Sequence, residues 1–550
     1  MTSPASSDNP YMDTKDVSLL LGGAALTVAG CRRAATAGPE QNVITIDVTR
    51  DRHSISPEIY GASYAQKDAA GYRCPIDRFG GNNTSRYNWM ANADNKGSDW
   101  FFETIPHDNP KPGGFVDDFC TTARSNNAAT MITIPMTGWI AQPAPGRKKA
   151  WSFSVSKYGR QEKTDSQFCP DAGNGKRPDG KPLGGNNPAD ANIAATPATF
   201  KPWVEKLVGT FPNVKYLLLD NEPGLWHETH RDIIPAGVSI DDLWQRSHAT
   251  SRMCKAAAPK TQVCGPEEWG WTGFMYSPRD AQHGKEHGWN NPFKPMPDRK
   301  VHGNVDPMTY LLKKFAAEEK ASGKRLLDVF TLHFYPQGGE FSGDTSPAMV
   351  KRRARSTRAL WDPSYKDETW ISDTVRLIPR MHEWVKNNYP GTRIGITEYS
   401  WGGDEHISGA TAQADILGIF GRERLDIGCR WTSPKAGSPA YKAMAMYTNA
   451  DGQGHGFGDT SVHCAVAEPD SLSAFAAIES KTKLLTIMVI NKEVGPRTIS
   501  LAINGHPSGK AAVYTLGADN NLVSQQGVDV SGQITVPGPS VVLMRLPAKA

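Results

Sequence analysis

Two glutamates stand where a carboxylate can do chemistry. Residues 217–226 read LLLDNEPGLW, an apolar run that stops abruptly at Asp220-Asn221-Glu222-Pro223. Residues 393–403 read RIGITEYSWGG, a second apolar run that ends in Glu398. Either glutamate alone reads as a solvated residue at the end of a strand. Two of them, each with Trp or Tyr close by, point instead to a carboxylate pair dividing acid–base work between a protonated and an ionised member. The eight cysteines are scattered and form no CxxC pair, so neither a zinc ribbon nor a dithiol redox centre is expected.

The elements that must position this pair follow a regular alternation. Short apolar strands are predicted over 59–63, 76–80, 131–135, 214–220, 262–265, 329–334, 394–398 and 427–431. Apolar spacing of 3.6 residues predicts helices over 201–209, 240–257, 308–322, 374–388 and 410–424. Eight strands with intervening helices imply an α/β chain with a (β/α)8 TIM barrel. An open doubly wound sheet is the alternative, but no GxGxxG follows the first strand to support its usual nucleotide role. Glu222 and Glu398 then end strands four and seven, at the face where barrel active sites lie. Two Gly/Pro/Asn/Lys-rich insertions, 141–197 and 267–306, emerge after strands three and five at that same face. Beyond about residue 463 the helical period vanishes, and strands are predicted over 484–491, 498–503, 511–516, 533–536 and 540–546. They form an appended antiparallel β-sandwich domain, joined by residues 42–48 and so built from both chain ends. The expected organisation is an export signal with a lipobox (1–31), a linker (32–41), an N-terminal sandwich strand (42–57), the catalytic barrel (58–460) and the sandwich (461–550).

Lysine plus arginine exceeds aspartate plus glutamate by only 61 to 57, which gives no concentrated basic face for a nucleic acid. The 15 tryptophans nearly match the 18 phenylalanines, a balance that suits surfaces stacking on flat ligands. Residues 17–31, VSLLLGGAALTVAGC, are too short to span a bilayer, which takes about 20 apolar residues. They read as the apolar part of an export signal, and Val28-Ala29-Gly30-Cys31 resembles a bacterial lipobox. The preceding Asp8, Asp13 and Asp16 against Lys15 depart from the basic start of such a signal. The chain is thus expected to be secreted or an outer-surface lipoprotein, touching a membrane only through a lipid on Cys31. Cys254 and Cys264 are near enough in sequence to pair, though spacing alone leaves that open.

Five strings in order carry a family resemblance. They are RFGGNNTSRYNW (78–89), DNEP (220–223), LDVFTLHFYP (327–336), ITEYSWGG (396–403) and FGDTSV (457–462). Together they resemble glycoside hydrolase family 44, endoglucanases and xyloglucanases of the large clan of retaining barrel glycosidases, from about residue 44 to the C-terminus. The resemblance implies Glu398 as nucleophile and Glu222 as acid/base, with carboxyl groups about 5–5.5 Å apart. Asn221 would bond the sugar 2-hydroxyl, Arg78 would keep the nucleophile ionised, and His333 and Tyr335 would end strand six, with Tyr335 donating to Glu398. Trp89, Trp100, Trp370, Trp401 and Trp431 are candidate sugar platforms, because indole faces pack on pyranose C–H faces. Gly224 departs from the larger residue the family favours there, which bears on subsite shape. No cofactor is required, and no catalytic metal is expected. A structural calcium, as in some relatives, is left open for the insertions, where no ligand spacing demands one. The implied substrate is a plant-type β-1,4-glucan such as a cellulose derivative or xyloglucan, cut internally with retention by a monomer. The alternatives are a xylanase or mannanase of the same clan, or a catalytically inactive carbohydrate-binding lipoprotein.

Overall fold

Eight parallel strands close on themselves in chain order: β1 (Gly61–Ser63), β2 (Ile76–Phe79), β3 (Ala129–Ile134), β4 (Val214–Leu219), β5 (Gln262–Glu268), β6 (Val329–Phe334), β7 (Arg393–Tyr399) and β8 (Ile427–Arg430). β8 pairs with β1 through Cys429 opposite Gly61, which completes the TIM barrel. The computed structural model describes residues 42–65, 67–290 and 294–548. The export segment, the linker and Cys31 lie outside the described residues.

Strand periodicity explains how the barrel is filled. Along β4, Leu217 and Leu219 face the helical layer, while Tyr216 and Leu218 turn into the lumen with Ile76, Met131, Cys264, Val329, Ile427 and Cys429. Two residues further up β2 and β6 the lumen becomes polar. Arg78 follows Ile76, and Thr331 and His333 follow Val329, all fully buried. An apolar plug thus carries a polar site above it, at the carboxy-terminal mouth.

Helices Pro197–Thr210, Ile240–Ala257, Pro307–Ser322, Leu377–Asn388 and Ile407–Arg422 surround the strands. The two insertions are not open loops. The first forms short strands, among them Ala150–Trp151, paired to Glu103–Pro106, and Asn192–Ala194, paired to Trp139–Ala141. The second folds into helices Trp271–Met275, Pro278–His287 and Pro297–Val301. The seven described cysteines are free thiols, so Cys254 and Cys264 do not pair.

The second domain is a mostly antiparallel sheet of ten strands wrapped around its own core. Val43–Asp47 lies inside it, antiparallel to Thr460–Ala465 and parallel to Arg497–Asn504. In strand Leu472–Ile478, Leu472, Ala474, Ala476 and Ile478 face the sheet's own core. Phe475 and Ala477 join the barrel's cluster instead. Phe475 packs directly on Gly418 of helix Ile407–Arg422, where a Cβ would come within 2.2 Å of its ring.

Candidate active site

At the mouth, three strands leave regular geometry together. Asp220 and Glu222 after β4, and Glu267 in β5, all have positive φ, at 65°, 46° and 58°. The β5–β6 register slips at Glu267 and the β6–β7 register slips at Thr397. Bulges re-aim side chains beside active sites, and non-glycine residues in this region cost about 1–3 kcal/mol each, sustained only by firm surroundings. Those surroundings are present. The buried Asp220 carboxylate accepts from Ser85 Oγ, Met136 N and Asn221 N. Glu222 N donates to Glu267 O at 2.9 Å, and Trp226 Nε1 donates to Asn221 O at 3.0 Å.

The result is one connected polar centre. Arg78 Nη1 donates to Glu398 Oε1 at 2.7 Å, and Tyr335 OH donates to Glu398 Oε2 at 2.9 Å. Arg78 Nη2 reaches Asn221 Oδ1 at 3.1 Å and Glu267 Oε2 at 3.0 Å. His333 sits between the carboxylates, with Nδ1 3.0 Å from Glu222 Oε1 and Nε2 3.2 Å from Glu267 Oε2. Carboxylate oxygens of Glu222 and Glu398 and a ring nitrogen of His333 all lie within 4.8 Å of one another.

Burial and charge assign the protons. Desolvation would lower His333, but Glu398, Glu222 and Glu267 push it up to about 9. Burial opposes ionisation of Glu267, yet His333 and Arg78 hold it down at about 2. Burial also opposes the charge on Arg78, and the carboxylates of Glu398 and Glu267 outweigh it. Glu222 is raised, chiefly by burial and by the charge of Glu398, with His333 pulling the other way. Two cations therefore face three carboxyl groups, and Glu222 is the one placed to keep a proton.

A stability test follows. Because the folded state raises His333 from 6.5 to about 9, its stabilisation is complete below pH 6.5 and lost as pH rises through 9. The amount at stake is on the order of 3 kcal/mol. Thermal melting of wild type between pH 6 and 10 should show an alkaline decline that His333→Gln largely lacks. Equal declines in both proteins would mean that His333 is neutral in the folded state.

The expected residues separate into groups. Glu222, Glu398, Asn221, Arg78, His333 and Tyr335 meet in the polar centre. Trp431 borders it: a Cβ on Gly81 would lie 2.6 Å from its ring, and Gly81 N donates to Asn221 Oδ1 at 3.1 Å. Trp100 follows Asp99, whose carboxylate accepts from Asn82; Asn82 in turn accepts from Asn221 Nδ2 at 3.1 Å. Trp370 is 57% exposed on the segment between β6 and β7. Trp89 is half-buried against the barrel core, with its N–H on Thr199 O at 3.0 Å. Trp401 is not a platform. It is only 2% exposed, its N–H donates to Ser356 Oγ at 2.9 Å and its ring lies on Phe334. Helix Pro347–Ser356 covers it, and Arg353 Nε bonds its carbonyl at 2.8 Å.

Glu267 and Glu268 are additions. Glu267 is the hub of the lumen, also accepting from Thr331 Oγ1 and, at 2.9 Å, from Thr397 Oγ1. The string Pro266-Glu267-Glu268-Trp269 was its signal, a second carboxylate-bearing strand end like DNEP.

Where the first insertion packs on strand Glu103–Pro106, Glu103, Asp165 and Cys169 bring ligand atoms within 4.8 Å of one another. Lys149 Nζ donates to Glu103 Oε2 at 3.0 Å. Two carboxylates, a thiol and an ammonium do not fit calcium, which takes six to eight oxygens.

The model of glycoside hydrolase family 44 matches residues 93–338. The chain is 46% identical to CelM2, a bifunctional glucanase-xylanase from a metagenome library, covering 92% of this chain and 99% of that one with a TM-score of 0.89. It is 27% identical to a xyloglucanase of family 44 from Paenibacillus polymyxa solved with xyloglucan, covering 92% and 100% with a TM-score of 0.73. It is 30% identical over 519 residues to beta-mannanase/endoglucanase A of Caldicellulosiruptor saccharolyticus. That match takes in 87% of this chain but spans only 36% of the length of that relative.

Proposed function

From a chain that belongs to glycoside hydrolase family 44, we propose an endo-acting β-1,4-glucanase that cleaves cellulose derivatives and xyloglucan by double displacement with retention. The observation that carries this is the spacing of the carboxylates. Oxygens of Glu222 and Glu398 within 4.8 Å of each other suit the separation of about 5–5.5 Å of retaining enzymes, and fall well short of the roughly 6.5–9.5 Å that admits a water.

Glu398 attacks the anomeric carbon while Glu222 hands its proton to the leaving oxygen. Arg78 and Tyr335, each on a different oxygen of Glu398, aim the nucleophile. Forming the glycosyl ester removes the charge on Glu398 that helps raise Glu222. Glu222 then ionises more readily, and His333 Nδ1 stabilises the anion that must take a proton from water. The neutral acid and the anionic base are one residue in two charge environments.

Asn221, held by Arg78 and Gly81, is placed to meet the 2-hydroxyl. Trp431, packed on Gly81, would supply an apolar face beside it. Identity of 46% with a bifunctional glucanase-xylanase supports xylan as a further substrate. The apolar segment 17–31 supports action outside the cell, as secreted or lipid-anchored enzyme, so activity is expected in medium or envelope fractions. Carboxymethylcellulose and xyloglucan should lose viscosity early in digestion, and proton NMR in the first minutes should show the β-anomer of the new reducing end. An α-anomer before mutarotation would overturn the mechanism, and inertness of both polymers would overturn the substrate class.

A further inference from the structure

We propose that Glu268 is a positioning residue for the acid/base: its side chain pins the turn that carries Glu222, and leaving-group protonation depends on that pin. This rests on the acid/base role given to Glu222 above. Glu267 and Glu268 are consecutive in β5, so their side chains diverge. Glu267 enters the lumen. Glu268 turns out toward β4 and is 1% exposed. Its Oε1 accepts from Gly224 N at 3.0 Å, two residues beyond Glu222, and from Trp269 N at 3.1 Å.

The fit around this carboxyl is close on two sides. A Cβ on Gly224 would lie 2.3 Å from Oε1, and one on Gly273, in helix Trp271–Met275, would lie 2.4 Å from it. The missing side chain at Gly224 is thus the space that Glu268 occupies. Glu222 needs such support, because its φ of 46° is one a glutamate seldom adopts unaided. β5 holds the turn at two successive residues, through the Glu267 carbonyl on Glu222 N and the Glu268 carboxyl on Gly224 N. Burial, opposed by the Trp269 and Gly224 N–H groups, pushes Glu268 up to about 8. At pH 6 it is therefore mostly a carboxylic acid, and glutamine reproduces both its shape and its acceptor oxygen.

The experiment compares two substrates at pH 6. Xyloglucan needs its leaving sugar protonated, whereas 2,4-dinitrophenyl β-cellobioside does not in its first step. Glu268→Ala should lower kcat/KM on xyloglucan by about 10–100-fold, the scale of a misplaced catalytic group. Its pre-steady-state phenol burst should stay within about threefold of wild type, since no proton is transferred there. Glu268→Gln should restore xyloglucan hydrolysis to within about threefold. Gly224→Ala, which drives the carboxyl away from the turn, should behave as Glu268→Ala does, and it decides the matter if Glu268→Ala does not fold. Equal losses on both substrates, or no loss on xyloglucan, would overturn the positioning role. Glu222→Ala run alongside keeps the two ideas apart. If it also lacks leaving-group dependence, the acid/base assignment has failed; if it alone shows that dependence, only the role of Glu268 has.

Discussion

Glu398→Gln is expected to remain folded and to lose roughly 10⁴–10⁶-fold in kcat, the range seen when a covalent nucleophile is removed. An amide nitrogen and carbonyl cannot form the glycosyl ester, and among the described residues no other carboxylate stands where Arg78 and Tyr335 converge. The fold should tolerate the change. The amide oxygen still accepts from Arg78 Nη1, and Tyr335 OH can turn to accept from the new NH₂ instead of donating. One buried anion is lost, but Glu267 still faces both Arg78 and His333. Glu398→Gly opens space for a small anion, and azide should restore turnover while inverting the anomer, because attack then comes once instead of twice. Circular dichroism matched to wild type with substantial residual activity in Glu398→Gln would remove the nucleophile assignment. So would azide rescue with retained stereochemistry.

The parts of this site that were legible in the sequence are those that obey a period. β1 to β8 stand out as apolar runs because a parallel strand inside a barrel is buried on both faces, and the residues at their ends are then placed by counting. Arg78, Asn221, Glu222, His333, Tyr335 and Glu398 all come from such ends and all reach the centre. Glu267 and Glu268 escaped because Pro266 argues against a continuing central strand; the strand continues past it by bulging. Trp401 was misplaced because nearness to the end of β7 was read as facing the mouth. It stands three residues past Glu398, so alternation sends it the other way, into the helical layer where Ser356 and Phe334 meet it. Strand Leu472–Ile478 offered no alternation because all seven residues are buried, four in the sheet's own core and Phe475 and Ala477 against the barrel.

Glu222→Ala is expected to separate the two jobs of one carboxyl. In the first step the proton goes to the leaving oxygen, and a sugar hydroxyl is far too basic to leave without it. Xyloglucan and carboxymethylcellulose should therefore be cut about 10²–10⁴-fold more slowly. A dinitrophenolate leaves unaided, so the same variant should still give a phenol burst with 2,4-dinitrophenyl β-cellobioside. The second step then lacks its base. Glycosylated Glu398 should accumulate and appear in intact-protein mass spectra as enzyme plus one cellobiosyl group. Azide attacks without losing a proton, so it should speed release and give the β-glycosyl azide. His333 makes the test sharper. In the glycosyl-enzyme, with Glu222 gone and Glu398 esterified, it still has the Glu267 carboxylate at 3.2 Å, which favours the imidazolium over a free base. Equal loss on activated substrate and polymer, in a folded protein that azide does not touch, would make Glu222 a binding residue. The proton would then have to come from another buried carboxyl, and Glu268, pushed up to about 8 beside it, would be the group to replace next.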